Sequence, residues 1–242
     1  VLDAVDAEAF SRVFENHQEY KENFSDFTFY PDTLGAYSFT SRSIPFILSG
    51  EWFENQILFE KYHEDVYKNS NFLLELEQKG YKLGMYETSI PITDKSIYRF
   101  DNVIEGNYKI TSYLDFAKSI MMLTGFKYAP FDIKCFCVLY PSEFDSLRNR
   151  DEELSSQRFW GDNLQFYKNI QSQPITYVNQ KSFKFIHIEG AHVPYRYDKD
   201  VNIILEGGTY EQNIEASMTI AAAYLEKLKE ADSYDNSVII IM

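Results

Sequence analysis

Short apolar runs alternate with amphipathic stretches along the chain, and this alternation constrains the fold more than any other feature. Val1-Leu2 has the character of a strand end. An amphipathic helix follows through Phe10, Val13 and Phe14, whose i, i+3, i+4 spacing builds one apolar face. Phe27 to Tyr37 reads as strand and loop, with turn chemistry at Pro31-Asp32. Ser41 to Ser49 reads as a helix around Ile44, Ile47 and Leu48, with Gly50 at a natural C′ position. Asn71 to Gln78 reads as a helix capped by Ser70 and ended by Gly80, and Tyr81 to Tyr86 as the next strand. Tyr113 to Leu123 is expected to be helical, Lys134 to Leu139 a nearly continuous apolar strand, and Ser182 to Ile188 a further strand. Thr209 to Ala231 is the clearest helix, with Ile214, Met218, Ala221, Ala222, Leu225 and Leu228 on one stripe. Val238 to Met242 reads as a short buried strand. Apolar strands separated by helices predict an α/β fold with a largely parallel central sheet, covered on both faces.

The 242 residues suit a single domain spanning 1–242, and no Pro/Gly/Ser-rich linker divides them. Hydrophobic residues at 45% and aromatic residues at 17% are enough for a full core, which excludes a disordered chain or a disulfide scaffold. With 23 Lys and Arg against 37 Asp and Glu, the net charge is −14. That charge, with no basic stripe, excludes nucleic acid as a partner and disfavours electrostatic binding to anionic lipid. An anionic substrate would need a local device, such as a metal ion or a helix N-terminus. No apolar run reaches the length of a membrane span. Cys135 and Cys137, spaced C-x-C in an expected strand, would face the same side and are read as buried thiols rather than a bridge.

In parallel sheets chemistry gathers beyond the carboxyl ends of the strands, and three segments fall there. Asp3 directly follows an apolar strand end. It is either a functional carboxylate or the N-cap of the next helix, a task Asp6 could equally perform. In Tyr37 to Gly50, hydroxyls crowd the start of a short apolar helix around Arg42, as a cap cluster or as the seat of a nucleophile at Thr40. A bare threonine hydroxyl is a poor nucleophile and needs a base or a metal. Pro45 removes one helical hydrogen bond, so this helix either begins after Thr40 or bends. Arg42 either adds to the local positive field or forms a structural salt bridge. Finally, His187-Ile188-Glu189-Gly190-Ala191-His192 places His192 just past a strand, as a surface residue or as a ligand-binding one.

Taken in order, these segments resemble the sulfatase-like branch of the alkaline phosphatase superfamily, which includes lipoteichoic acid synthases, phosphoethanolamine transferases and sulfatases. Val1-Leu2-Asp3 looks like the first strand with its metal-binding acid. Thr40-Ser41-Arg42-Ser43-Ile44-Pro45 resembles the transferases' nucleophile segment, and Ile186 to Tyr195 their substrate-binding histidine segment. Tyr210 to Lys229 is similar to a late helix of the family, and Asp235 to Met242 to the strand that leads into its Asp-His-Gly metal motif. The resemblance covers nearly the whole chain. The first acid is Asp rather than the transferases' usual Glu, their flanking cysteines are missing, and so is the Cys/Ser-x-Pro-x-Arg signature of sulfatases.

The resemblance implies an alkaline-phosphatase-like α/β/α sandwich, incomplete at both ends. It implies a metal-dependent phospho-group transferase or phosphodiesterase acting on cell-envelope lipids or glycans through Thr40. Asp3 and Thr40 would be metal ligands and His192 would bind substrate. The cofactor would be a divalent ion, Mn or Zn, with its remaining ligands beyond Met242. The substrate would be a phospholipid or an envelope polysaccharide. The domain would face outward from a bacterial membrane, held by segments outside this chain. The alternatives are a sulfate or phosphate ester hydrolase of envelope glycans and a non-catalytic domain that binds a glycan or a partner.

Overall fold

A computed structural model of the chain describes residues 1–86, 99–100, 109–110, 112–137, 148–149, 163–175 and 180–242. The chain divides into two compact units, Val1–Val103 with Phe159–Met242, and Ile104–Arg158.

In the larger unit, α1 (Ala7–Asn16) and α2 (Gln18–Asn23) come first, then α3 (Thr40–Ser49), α4 (Phe59–Asn69) and α5 (Asn71–Gln78). Strand β1 (Lys82–Tyr86) follows α5. The unit continues beyond the smaller one with α7 (Asn163–Ser172), β4 (Ser182–Ile186) and α8 (Tyr210–Glu230). Strands β1 and β4 pair in parallel, from Lys82 opposite Ser182 to Tyr86 opposite Ile186. The first residues extend this pairing: Leu2 bridges Ile188 in parallel, and Val1 O accepts from Ile188 N at 3.1 Å. On the far side of that segment, Leu2 N donates to Met242 O at 2.7 Å.

Side chains alternate across a strand, so this register assigns each residue to a face. One face carries Leu83, Met85 and Phe185, packed on Ile44 and Leu48 of α3, Tyr67 of α4 and Leu73 of α5. The other carries Ile186, Ile188 and Leu2, packed on Ile170 of α7 and Ala216 and Ile220 of α8. Helices therefore cover both faces of the parallel strands, the mixed α/β arrangement expected of apolar strands set between helices. A third cluster joins α1 to α8 through Ala9, Val13, Ile214 and Met218.

The helix ends follow the local chemistry. Ser70 Oγ accepts from Leu73 N to cap α5, and Thr209 and Gln212 form a reciprocal capping box at the start of α8. Gly50 closes α3 with a φ of 74°.

The smaller unit holds β2 (Lys109–Ile110), antiparallel to β3 (Arg148–Asn149), with α6 (Tyr113–Tyr128) and a 3₁₀ helix over Phe131–Cys137. Gly125 lies where a Cβ would come within 2.6 Å of Cys137 Sγ, so the absent side chain lets the 3₁₀ helix pack on α6. Among the described residues, no helix is long and apolar enough to cross a membrane.

Four expectations are corrected. Residues 134–137 are 3₁₀ helix rather than strand, because Ile133 N closes a turn on Pro130 O and the segment curls on itself; 138 and 139 lie outside the described residues. Cys135 is consequently exposed and Cys137 half-buried, both as free thiols, not the buried pair that a strand predicts. Phe27 to Tyr37 forms turns and bends without a strand, and Val238 to Met242 is exposed at Val238 and Ile240 instead of buried.

Candidate active site

Asp3 and Thr40 are brought together by the packing of α3 on the sheet. Asp3 shares strand parity with Val1, which packs in the cluster on the α3 side, and α3 begins at Thr40. Thr40 Oγ1 donates to Asp3 Oδ2 at 3.3 Å across 37 positions of sequence, while Asp3 Oδ1 accepts from Ala4 N at 2.9 Å. Both residues are half-buried.

The structure also divides the two aspartates between tasks. Asp6 caps α1, its Oδ1 accepting from Ala9 N at 2.8 Å, so Asp3 has no part in capping that helix. The Ala9 N–H holds the Asp6 carboxyl below its ordinary range. Tyr210 straps the Asp3 loop to α8: its hydroxyl donates to Ala4 O at 2.7 Å and accepts from Asp6 N at 3.0 Å.

Helix α3 starts at Thr40 and runs through Pro45, so a start later than Thr40 does not occur. Proline has no N–H for the carbonyl four residues back. That carbonyl, Ser41 O, instead accepts from His63 Nε2 at 2.7 Å, which supplies the missing bond from α4. Phe39, at the N-cap, makes no side-chain cap bond, and its carbonyl takes Arg42 N and Ser43 N, so the N–H groups of Thr40 and Ser41 open α3 without a side-chain cap. Among the described residues, Arg42 forms no salt bridge. Its guanidinium lies over the rings of Phe53 and Phe59, 5.4 and 5.9 Å from their centroids.

The loop after β4 closes the other side. Ala191 N donates to Asp3 O at 2.8 Å, and Gly190 has a φ of 59°. A Cβ on Gly190 would stand 2.2 Å from Asp3 O and 2.5 Å from Asp3 N, so only glycine lets the two segments meet this closely. His192 is exposed, and its Nδ1 donates to Val193 O at 2.7 Å, so Nε2 is the ring nitrogen left for a ligand. Among the described residues, its ring hydrogen-bonds neither Asp3 nor Thr40. Asn213 of α8 fixes the following turn, its Oδ1 accepting from Arg196 N and Tyr197 N, both at 3.1 Å.

Two buried polar side chains at this site escape a sequence reading. His187 brings Nε2 to 3.8 Å from Asp3 Oδ2. Its signal in the sequence is its parity with Phe183 and Phe185, which puts it on the same face as Asp3 once Leu2 pairs with Ile188. Asn163, the first residue of α7, donates from Nδ2 to Gly190 O at 3.5 Å, and its buried Oδ1 has no partner among the described residues.

As donors for a cation, Asp3 Oδ2 and Thr40 Oγ1 are hard oxygens. Their 3.3 Å separation matches two ligands of one tetrahedral ion with bonds of about 2.0 Å. The pair therefore fits part of a divalent site. Among the described residues, no group of three His, Cys, Asp or Glu side chains converges to complete it.

No family model, curated protein or solved structure matches the chain.

Proposed function

We propose that this chain is the catalytic domain of a phospho-group transferase or phosphodiesterase that works through Thr40 on cell-envelope lipids or glycans. The observation that carries the reading is the Asp3–Thr40 contact: a hydroxyl on the first residue of a helix, bonded to a carboxylate at the end of a parallel strand. The fold assigned with it is the alkaline-phosphatase-like sandwich, supported by helices on both faces of the parallel strands.

Asp3 Oδ2 orients the Thr40 hydroxyl by accepting its hydrogen bond. Thr40 Oγ1 attacks phosphorus, the ester bond to the leaving alcohol breaks, and the alcohol departs with the proton. Backbone N–H groups in the first turn of α3 face the negative charge that develops beside Thr40. An acceptor hydroxyl then attacks the phosphothreonine, which restores the Thr40 hydroxyl. His192 would hold non-bridging oxygens of the substrate through Nε2, which donates only in the imidazolium form because Nδ1 already donates to Val193 O. Asp3 and Thr40 would hold a divalent ion, Mn or Zn, with further ligands expected beyond Met242. Such an ion, when bound, lowers the hydroxyl pKa and polarises the phosphoryl group. The domain is placed on the outer face of a bacterial membrane, anchored through segments outside this chain.

The test is metal content and phosphodiester turnover of the chain, taken with any native residues that follow Met242, against its Thr40→Ala variant. Bound Mn or Zn with turnover lost by about a thousandfold or more in T40A supports transfer through Thr40. Turnover equal in the two proteins, or no turnover on phosphodiesters, overturns it and favours a binding domain.

A further inference from the structure

Among the described residues, three polar atoms meet at the Asp3 carboxylate. Ala4 N holds Oδ1, and Thr40 Oγ1 holds Oδ2. The third is His187 Nε2, 3.8 Å from Oδ2, which is in polar contact but beyond hydrogen-bond length. Its side chain is 8% exposed against 26% for Asp3, so the ring approaches the carboxylate from the interior and Thr40 approaches from α3.

The row that His187 occupies gives this approach its meaning. His187 ends a row on one face of β4 whose earlier members are Phe183 and Phe185, opposite Leu83 and Met85. The backbone fixes its place: His187 N donates to Tyr86 O at 2.9 Å, and Ile188 N donates to Val1 O two residues before Asp3. His187 is thus tied directly to β1, and through Ile188 to the segment that carries Asp3.

We infer that His187 is the positioning residue of Asp3. Its ring backs Oδ2 from inside the protein and fixes the rotation of the carboxylate that presents Oδ2 to Thr40. The inference rests on the transfer reading above and adds to it the residue that sets the geometry of the Asp3–Thr40 pair. His187 itself touches neither substrate nor the reacting oxygen.

The experiment compares His187→Phe and His187→Gln with the wild type and T40A, in the chain taken with any native residues after Met242. H187F keeps a planar ring and loses both nitrogens, whereas H187Q keeps a polar end. The expected result is kcat lowered by about tenfold to a hundredfold in H187F with KM unchanged, and most of it recovered in H187Q. The second readout is the ¹⁵N resonance of His187 Nε2 in wild type and Asp3→Asn, which is expected to shift because that nitrogen faces the substituted carboxylate. T40A-sensitive turnover that H187F leaves intact overturns this inference alone. Equal turnover by wild type and T40A overturns the transfer reading and this inference with it. If H187F does not fold, the resonance decides: a shift upholds the contact, and an unmoved signal refutes it.

Discussion

Pro45 and His63 are complementary partners across two helices: the bond that proline withholds from Ser41 O is the one His63 Nε2 donates to it, at 2.7 Å. The helix that carries Thr40 can therefore keep its proline, because α4 satisfies the carbonyl left open. His63 is buried between Phe59 and Tyr67, ring centroids 4.5 and 6.0 Å away, so the donor is held by aromatic packing. His63→Leu should lose about 1–3 kcal/mol, since the carbonyl then has no donor. Pro45→Ala restores an N–H to Ser41 O, and the P45A/H63L double variant should recover on the order of 1 kcal/mol of that loss. Urea unfolding of the four proteins measures the coupling, and strictly additive losses would refute it.

Gly190→Ala addresses the contact that seats Asp3. The added methyl group meets two backbone atoms of Asp3 rather than a flexible side chain, and φ at 59° is already strained for alanine. A loss of roughly 2–4 kcal/mol is expected from strain and overpacking together. Thermal unfolding reads it directly. Gly50→Ala is the control, because its φ of 74° is similar but nothing lies within 4 Å of the position its methyl group would take, so its loss should be smaller.

Asp3→Ala and Asp6→Ala should separate catalysis from stability. D6A removes the α1 cap and should cost about 1 kcal/mol at neutral pH. The folded state holds the Asp6 carboxyl below its ordinary value near 3.8, so its contribution is present above that value. It is lost as pH falls through the lowered folded value, and the gap between wild type and D6A should close in acid. D3A should change stability less than D6A and abolish turnover. Denaturation midpoints at several pH values, with an activity assay at neutral pH, check both halves. A gap that widens in acid would contradict the assignment of the cap.

Elements with local signals were legible in the sequence. Ser70, Gly50 and Thr209 sit at helix ends because their side chain or backbone conformation satisfies groups a helix leaves open, and those signals are complete within four residues. Helix α4 was harder to read, since its buried positions are filled by Tyr62, His63 and Tyr67 as well as Val66, so its apolar stripe is partly written in polar residue types. Apolar content misled at Phe131–Cys137, where Pro130 starts a local turn, and at Val238 to Met242, which is exposed over much of its length. At the site, the candidates Asp3 and Thr40 were visible as residue types, but their contact depends on a helix packing over a strand 37 residues away. His187 was hidden by its place directly after a strand, and Asn163 by the absence of any local pattern that marks a buried amide.

The bridge between Leu2 and Ile188 acts on this site as a reading frame acts on a message. Strand faces repeat every two residues, so a slip of one position would exchange the two sets of side chains. Leu2 would then stand where Thr40 now meets a carboxylate, and Asp3 would be driven among Ile170, Ile188 and Ile220. A single residue inserted or deleted between Val1 and Asp3 would thus erase the pair without altering any residue that composes it, whereas a conservative exchange at Leu2 that kept the frame would leave it intact.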